Sequence, residues 1–306
     1  MRDWKAELSR ILSRPPLWDE PMSEYTSMGI GGPAECLIFP QTYSELQSIL
    51  SLAKEQRLPL FILGAGTNLL VRDGGIKGIV INLSALCSDF SFLQQRLFAG
   101  VAVSLPYLTK KAIERGLKGL EFATGIPGSL GGALYMNAGA HGSSVGELVL
   151  EAKVMDYEGN IKTLGRQELG FAYRHSCFQE RDEIILSAVL ELEPGDGPEI
   201  RYLQQRNSQE RLAKQPSLPS AGSIFRNPPG LAAGKLIDDL GVKGLKIGGA
   251  MVSRKHANFI VNAGNATASD VLALIELLRD KVRSAYHVEL ELEVKVIGVE
   301  RAMVSS

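Results

Sequence analysis

Cysteine is scarce in this sequence, and neither sign of charge is in excess. Three cysteines, Cys36, Cys87 and Cys177, stand far apart among 306 residues, with no Cys-x-x-Cys pair. An odd, scattered set argues against a disulfide framework and a structural zinc site, and suits a reducing, cytoplasmic compartment. Four histidines (His141, His175, His256 and His287) show no metal-ligand spacing, so no metal is expected. Lys plus Arg number 33 against 34 Asp plus Glu, a net charge of -1. That balance gives no general pull toward nucleic acid or an anionic membrane. No signal-peptide core is present: in "MRDWKAELSRILSRPP", Trp4, Leu8, Ile11 and Leu12 share one face of a short helix that Pro15-Pro16 ends.

What remains is an ordinary globular composition, 45% hydrophobic and 22% charged. The length suits about two domains, or three small ones. One stretch departs from the rest. "GIPGSLGGALYMNAGA", Gly125 to Ala140, has five glycines in sixteen residues, and no charge falls between Glu121 and Glu147. A membrane span is excluded, because glycines at 125, 128, 131, 132, 139, 142 and 146, with Pro127 and Asn137, leave too few bulky apolar groups. A packing segment and a ligand bed both stay open.

The rest reads as α+β. "AECLIF" (34–39), "PLFIL" (59–63) and "GIVINL" (78–83) are short strands around the helix "YSELQSILSLAKEQRL". A second block holds paired strands in "FSFLQQRLFAGVAVSL", the helix "LPYLTKKAIERGL", a hairpin turned at "EGN", and the strand "DEIILSAVLELEPG". "PGDGP" (194–198) reads as a hinge. A third block starts with the polar helix "EIRYLQQRNSQERLAK" and ends with the strand "HANFIVN", the capped helix "ASDVLALIELLRDKVRSAY" and the alternating strand "VELELEVKVIGVE".

A second glycine loop, "FILGAGTNLL", follows a strand. A Rossmann fingerprint would need a third glycine where Leu69 stands, and a helix after it. Instead Asp73-Gly74-Gly75 turns the chain toward another strand. Such glycines let backbone N–H groups approach an anion, with Thr67 and Asn68 adding donors, or they simply make a tight turn. Two donor-rich, charge-poor loops suit a cofactor with a flat ring and a diphosphate; a flavin dinucleotide fits, although spacing alone does not name it.

"LGAGTNLLV", "GIPGSLGGALYMNAGA", "YRHS", "AGSIFRNP" and "LEVKVIG" stand in the order found in the UDP-N-acetylenolpyruvoylglucosamine reductases (UDP-N-acetylmuramate dehydrogenases), and the sequence resembles that family over roughly residues 22 to 300. The resemblance implies a two-subdomain FAD-binding module of the vanillyl-alcohol-oxidase (PCMH) type plus a C-terminal α+β substrate domain. The corresponding division is an N-terminal helix (1–21), subdomain 1 (22–84), subdomain 2 (85–195) and the substrate domain (196–306). FAD, bound non-covalently although His141 lies beside the loop, would rest on Leu63, Gly64, Ala65, Gly66, Thr67, Asn68 and Leu69. Its second bed would be Gly125, Ile126, Pro127, Gly128, Ser129, Gly131, Gly132, Asn137, Gly139 and Ala140. The family usually shows Ser where Thr67 stands, which keeps the hydroxyl.

The implied chemistry is NADPH-dependent reduction of UDP-N-acetyl-3-O-(1-carboxyvinyl)glucosamine to UDP-N-acetylmuramate for peptidoglycan. Hydride passes from NADPH to flavin N5 and on to substrate C3, and Ser223 protonates C2. Arg174 would face the substrate carboxylate, a task suited to a planar fork. Glu293 would help to stabilise the enolic intermediate. Lys214 and Asn227 would contact substrate, whereas His256 and Asn258 would be structural. Read without the resemblance, Ser223 is a turn residue, Arg174 a surface charge, and Glu289, Glu291 and Glu293 a strand's polar face. The short stretch between Arg174 and Ser223 holds Tyr202 as its only tyrosine, so the resemblance implies the shorter-loop branch of the family, which lacks the other branch's added loop with a substrate-covering tyrosine. A bacterial cytoplasmic enzyme is expected, monomeric or weakly homo-oligomeric, with a small-molecule partner only. Two alternatives stand beside it: a flavin alcohol oxidase of the same superfamily, and a nucleotide-sugar-binding protein without activity.

Overall fold

The computed structural model describes residues 3–301. Seven α-helices occur among them: α1 (Trp4–Ile11), α2 (Tyr43–Gln56), α3 (Leu105–Glu114), α4 (Leu130–Tyr135), α5 (Gly197–Lys214), α6 (Ala233–Asp239) and α7 (Ala268–Tyr286). The chain forms two compact units. Unit 1 takes the chain up to Leu17, then Leu37–Ala65 and Gly78–Arg211; unit 2 takes Trp18–Cys36, Gly66–Lys77 and the chain from Leu212 on.

Unit 1 is built on a five-stranded antiparallel sheet. Its order is 161–165, 149–156, 183–191, 96–100 and 90–93. The expected "EGN" hairpin is present because Asp156 prepays its geometry: Oδ1 accepts the N–H groups of Glu158 (3.0 Å) and Asn160 (2.8 Å), and Gly159 takes φ +85°. The strand 183–191 buries Ile184, Leu186, Ala188 and Leu190, an alternation that fixes which face meets the core. Leu60–Leu63 pairs in parallel with residues 79–82. Helix α2 starts where the Thr42 hydroxyl accepts the Glu45 N–H at 3.1 Å. Glu45 itself is buried and accepts from the Ser13 N–H and hydroxyl and the Gln41 N–H, joining the end of α1 to the start of α2. Residues 193–194 pair with 117–118, and α5 begins at Gly197, so "PGDGP" is a strand-to-helix corner inside unit 1.

Unit 2 surrounds a separate apolar core in which Ile224, Phe225, Ile237, Ile260, Val271, Leu274 and Leu278 are almost fully buried. Helix α7 carries a capping box between Thr267 and Asp270. A second acid reinforces it: Asp73 accepts from the N–H groups of Ala268 (2.8 Å) and Ser269 (2.9 Å) and from the Ser269 hydroxyl (2.6 Å).

Two strand expectations shrink. In "VELELEVKVIGVE" only Lys295–Ile297 is strand, parallel to Leu69–Val71. The segment changes partner along its length: Glu291 and Glu293 bond to Arg226 and Ile224, then Lys295 bonds to Asn68. One alternating run thus serves two neighbours instead of one ladder. In "HANFIVN" the strand is Ile260–Asn262, because Phe259 N–H turns back to His256 O.

Candidate functional site

Gly64 and the glycine loop at 125–140 meet within unit 1. A Cβ added at Gly64 would lie 3.1 Å from Ser129 Oγ and 4.0 Å from Gly132 N. Gly64, Ala65, Gly125, Pro127 and Gly132 are exposed and present small groups, with the Arg211 side chain lying against Gly125, whereas Leu63 is buried. Ser129 caps α4 through Gly132 N–H at 3.3 Å. The glycines have different reasons. Gly131 is a packing residue: its N–H bonds to Val101 O at 2.8 Å, and a Cβ there would press on Val101 Cβ at 2.9 Å. The Leu130 N–H likewise serves Val103 O. The bed is therefore less a row of free N–H donors than an open shelf of small groups. Asn137, expected to touch cofactor, is buried with its amide engaged inside the protein: Nδ2 donates to Ala172 O (2.8 Å) and Oδ1 accepts from Gly146 N–H (2.9 Å). Ile126 and Gly128 line the loop's entry, where Ile126 N–H turns back to Ala123 O and Gly128 O accepts from Leu105. Gly139 and Ala140 form a two-residue strand against Ser143–Ser144.

Arg174 sits in the same unit, at the tip of a tight turn. Ala172 and His175 exchange both backbone bonds at 3.1 Å, leaving exposed Tyr173 and half-buried Arg174 as the central residues. Arg174 has φ +54°, a left-handed conformation that costs a non-glycine residue roughly 1 kcal/mol. Its guanidinium lies 5.2 Å from the Tyr173 ring centroid.

Unit 2 brings Ser223 and Glu293 together. The Glu293 N–H bonds to Ile224 O at 2.8 Å, one residue past Ser223, and Phe225 bridges Leu292. Asn258, buried at 4% exposure, holds the other edge: Oδ1 accepts the Phe225 N–H (3.0 Å), Nδ2 donates to Phe225 O (2.8 Å), and its own carbonyl accepts the Ile224 N–H. The serine segment is therefore clamped from both sides while Ser223 itself stays partly exposed. Asn68 reaches the same place, donating Nδ2 to Glu293 O at 3.1 Å, and Leu69 pairs with Lys295. Gly66 is forced to be glycine, with φ +64° and a Cβ direction blocked by the Tyr25 carbonyl. Thr67, half-buried, lies between them. Lys214 is exposed, and Asn227 Oδ1 accepts the Ala233 N–H at the start of α6 (3.1 Å).

Burial, then the nearby Lys243, pushes His256 below the ordinary histidine value, and its Nδ1 accepts the Asn258 N–H, which agrees with a structural role. Burial, then Arg226, lowers Lys295. No group of three or more metal-ligating side chains occurs among the described residues. Sequence reasoning passed over Ser176 and Gln179, which tie the Arg174 turn to α4, and Asp73, which caps α7. The signal for Ser176 was present in "YRHS"; Gln179 left none, since its partners are carbonyls that only folding brings near.

Residues 34–165 match the family model of an FAD binding domain, and residues 214–297 match that of the UDP-N-acetylenolpyruvoylglucosamine reductase C-terminal domain. The chain is 46% identical to the UDP-N-acetylenolpyruvoylglucosamine reductase of Alkaliphilus oremlandii over 93% of its length and 94% of that protein. It is 43% identical to the reductase of Clostridioides difficile over 97% of its length and 98% of that protein. Among solved structures, the UDP-N-acetylenolpyruvylglucosamine reductase of Thermus caldophilus superposes with a TM-score of 0.80 at 36% identity, covering 91% of this chain and 97% of that one. The expected α+β arrangement of an FAD-binding module followed by a C-terminal domain is borne out.

Proposed function

Since the chain belongs to the UDP-N-acetylenolpyruvoylglucosamine reductase family, we propose that it reduces UDP-N-acetyl-3-O-(1-carboxyvinyl)glucosamine to UDP-N-acetylmuramate with NADPH, through non-covalent FAD. The observation that carries this reading is the clamped Ser223 segment, joined to Glu293 by the 2.8 Å bond from Glu293 N–H to Ile224 O. An acid and its electrostatic partner are thereby held on one rigid frame, as proton delivery to carbon requires.

The residues present fit FAD. The exposed shelf of Gly64, Ala65, Gly125, Pro127 and Gly132 is made of small groups, and a methyl at Gly64 would project into it. The Thr124 hydroxyl, just before Gly125, is buried with no protein partner, as a group reserved for a ligand would be. We assign the shelf, together with Ile126, Gly128, Ser129, Gly139 and Ala140 and, in unit 2, Thr67 and Asn68, to FAD. Bound there, FAD would supply the hydride chemistry that links NADPH to substrate C3. The protein's own groups do the rest. Arg174 meets the substrate carboxylate with a two-pronged donor set as charge moves onto it. Ser223 holds the proton destined for C2. Glu293 places its carboxylate beside that proton path, and Lys214 and Asn227 bind the substrate.

Residues 22–84 and 85–195 are assigned to the FAD-binding parts and 196–306 to the substrate part. No helix among the described residues is long and apolar enough to cross a membrane. We further propose a bacterial cytoplasmic enzyme, monomeric or weakly homo-oligomeric. The test is anaerobic absorbance spectroscopy on purified protein. NADPH should bleach the flavin band, and the enolpyruvyl ether should restore it. Recovery only on admitting air would replace the reductase by an oxidase, and the lack of any flavin band would leave a binding protein.

A further inference from the structure

One side-chain amide bonds both the Arg174 carbonyl and the end of helix α4. Gln179 Nε2 donates to Tyr135 O at 2.9 Å and to Arg174 O at 3.0 Å. A primary amide has two N–H bonds, and here each has its own carbonyl. Tyr135 is the last residue of α4, where a helix leaves carbonyls without intrahelical partners. The other end of α4 begins at Ser129 and carries the shelf residue Gly132. Helix α4 is six residues long, about 9 Å, so one rigid turn-and-a-half separates the shelf from the Gln179 amide.

Closing the Arg174 turn does not need this amide. The Ala172–His175 backbone pair closes it, and Asn137 Nδ2 anchors Ala172 O besides. Nor does Tyr135 O depend on it alone, since the Ser176 hydroxyl also donates there at 2.8 Å. The bond to Arg174 O does something else. The direction of that carbonyl follows the backbone of Arg174, which sits in the strained left-handed region at φ +54°. Holding the carbonyl holds the strained state, and with it the departure angle of the side chain.

We infer that Gln179 is a positioning residue that sets Arg174 relative to the flavin shelf, so that the guanidinium meets the substrate carboxylate in one orientation. This rests on the role proposed above for Arg174.

The test is a double-mutant cycle on the FAD-loaded enzyme with Gln179→Met, which keeps length and removes both donors, and Arg174→Ala. Three quantities are read: flavin content and melting temperature, the substrate dissociation constant from the perturbation of the oxidised flavin spectrum, and the rate of flavin reoxidation by substrate. Gln179→Met is expected to keep flavin content and melting temperature, and to weaken substrate binding and slow reoxidation by roughly tenfold, the effect of a misaimed charge contact. In the Arg174→Ala background the same substitution should change neither. Equal losses in both backgrounds would overturn the inference, making Gln179 a structural residue only. If Arg174→Ala alone left substrate binding and reoxidation intact, the role of Arg174 would fall, and this inference with it. Ser176→Ala, which also touches Tyr135 O but has no bond to Arg174 O, controls for damage to α4 and should behave as wild type. Gln179→Glu supplies a second variant should the methionine protein lose its flavin. Its carboxylate offers no donor at neutral pH but regains one when protonated, so its reoxidation rate relative to wild type should rise as pH falls toward 5. A pH-independent ratio would count against the inference.

Discussion

Gly64→Ala separates the fold from the cofactor. The added Cβ would meet only Ser129 Oγ, at 3.1 Å, and Gly132 N, at 4.0 Å, and Gly64 does not occupy a left-handed conformation that alanine resists. Ser129 can yield a few tenths of an ångström. The bond at risk is its cap to Gly132 N–H, already long at 3.3 Å, and losing a cap costs about 1 kcal/mol at most here. The apoprotein should therefore unfold in urea almost as the wild type does. The outward side of Gly64 is exposed in the protein alone, and that is the side assigned to FAD. A methyl pressed into a packed contact costs about 1–3 kcal/mol, which corresponds to roughly 5- to 150-fold in dissociation constant. Titrating apoprotein with FAD, followed by quenching of flavin fluorescence, gives the constant directly. An unchanged urea midpoint with FAD affinity within about twofold of wild type would refute the placement of the shelf, since no packed ligand tolerates a free methyl group at its face.

Gly66→Ala should behave in the opposite way, destabilising the apoprotein by on the order of 2–4 kcal/mol in urea, because its Cβ would overlap the Tyr25 carbonyl and alanine resists φ +64°. Ser223→Ala should leave flavin reduction by NADPH near wild type and slow reoxidation by substrate by about 10²–10⁴-fold in stopped-flow absorbance; equal loss in both half-reactions would remove Ser223 as the acid. Asp73→Ala should cost about 1–2 kcal/mol in chemical denaturation, through the loss of three bonds at the start of α7. Glu45 gives a pH signature. Burial alone would raise its pKa, but hydrogen bonds from Gln41, Ser13 and Thr42 outweigh it and hold the carboxyl below its ordinary value. Its stabilisation is therefore complete above the ordinary carboxylate pKa of about 4.3 and is lost as pH falls through the lower folded value. Urea curves of wild type and Glu45→Gln should differ at pH 7 and converge toward pH 3; a gap that does not narrow would show that the carboxylate charge is not what joins α1 to α2.

Local chemistry was legible wherever neighbours in sequence are also neighbours in space. The "EGN" turn, the Thr267 cap and the α7 amphipathic stripe each depend on groups within a few residues of one another. The alternating run at 288–300 misled for the same reason. Alternation reports which side chains are buried, not which backbone supplies the hydrogen bonds, and here the partner changes from Ile224 to Asn68 within three residues. The glycines show a similar limit. Their density marked a loop held close to something, but Gly131 meets Val101 while Gly64 faces outward, and only the folded chain distinguishes the two.

By itself the sequence determined the absence of a Rossmann loop, the type and order of most elements, and, through five ordered motifs, the family. These are properties of composition and local spacing, which need no contact map. The tertiary structure decided that Ser223 lies beside Glu293 although 70 positions separate them, that Asn258 and Asn68 frame the pair, and that Gln179 joins the Arg174 turn to α4. Those assignments arise from backbone carbonyls and N–H groups, which every residue carries alike, so no side-chain pattern announces them before the chain has folded.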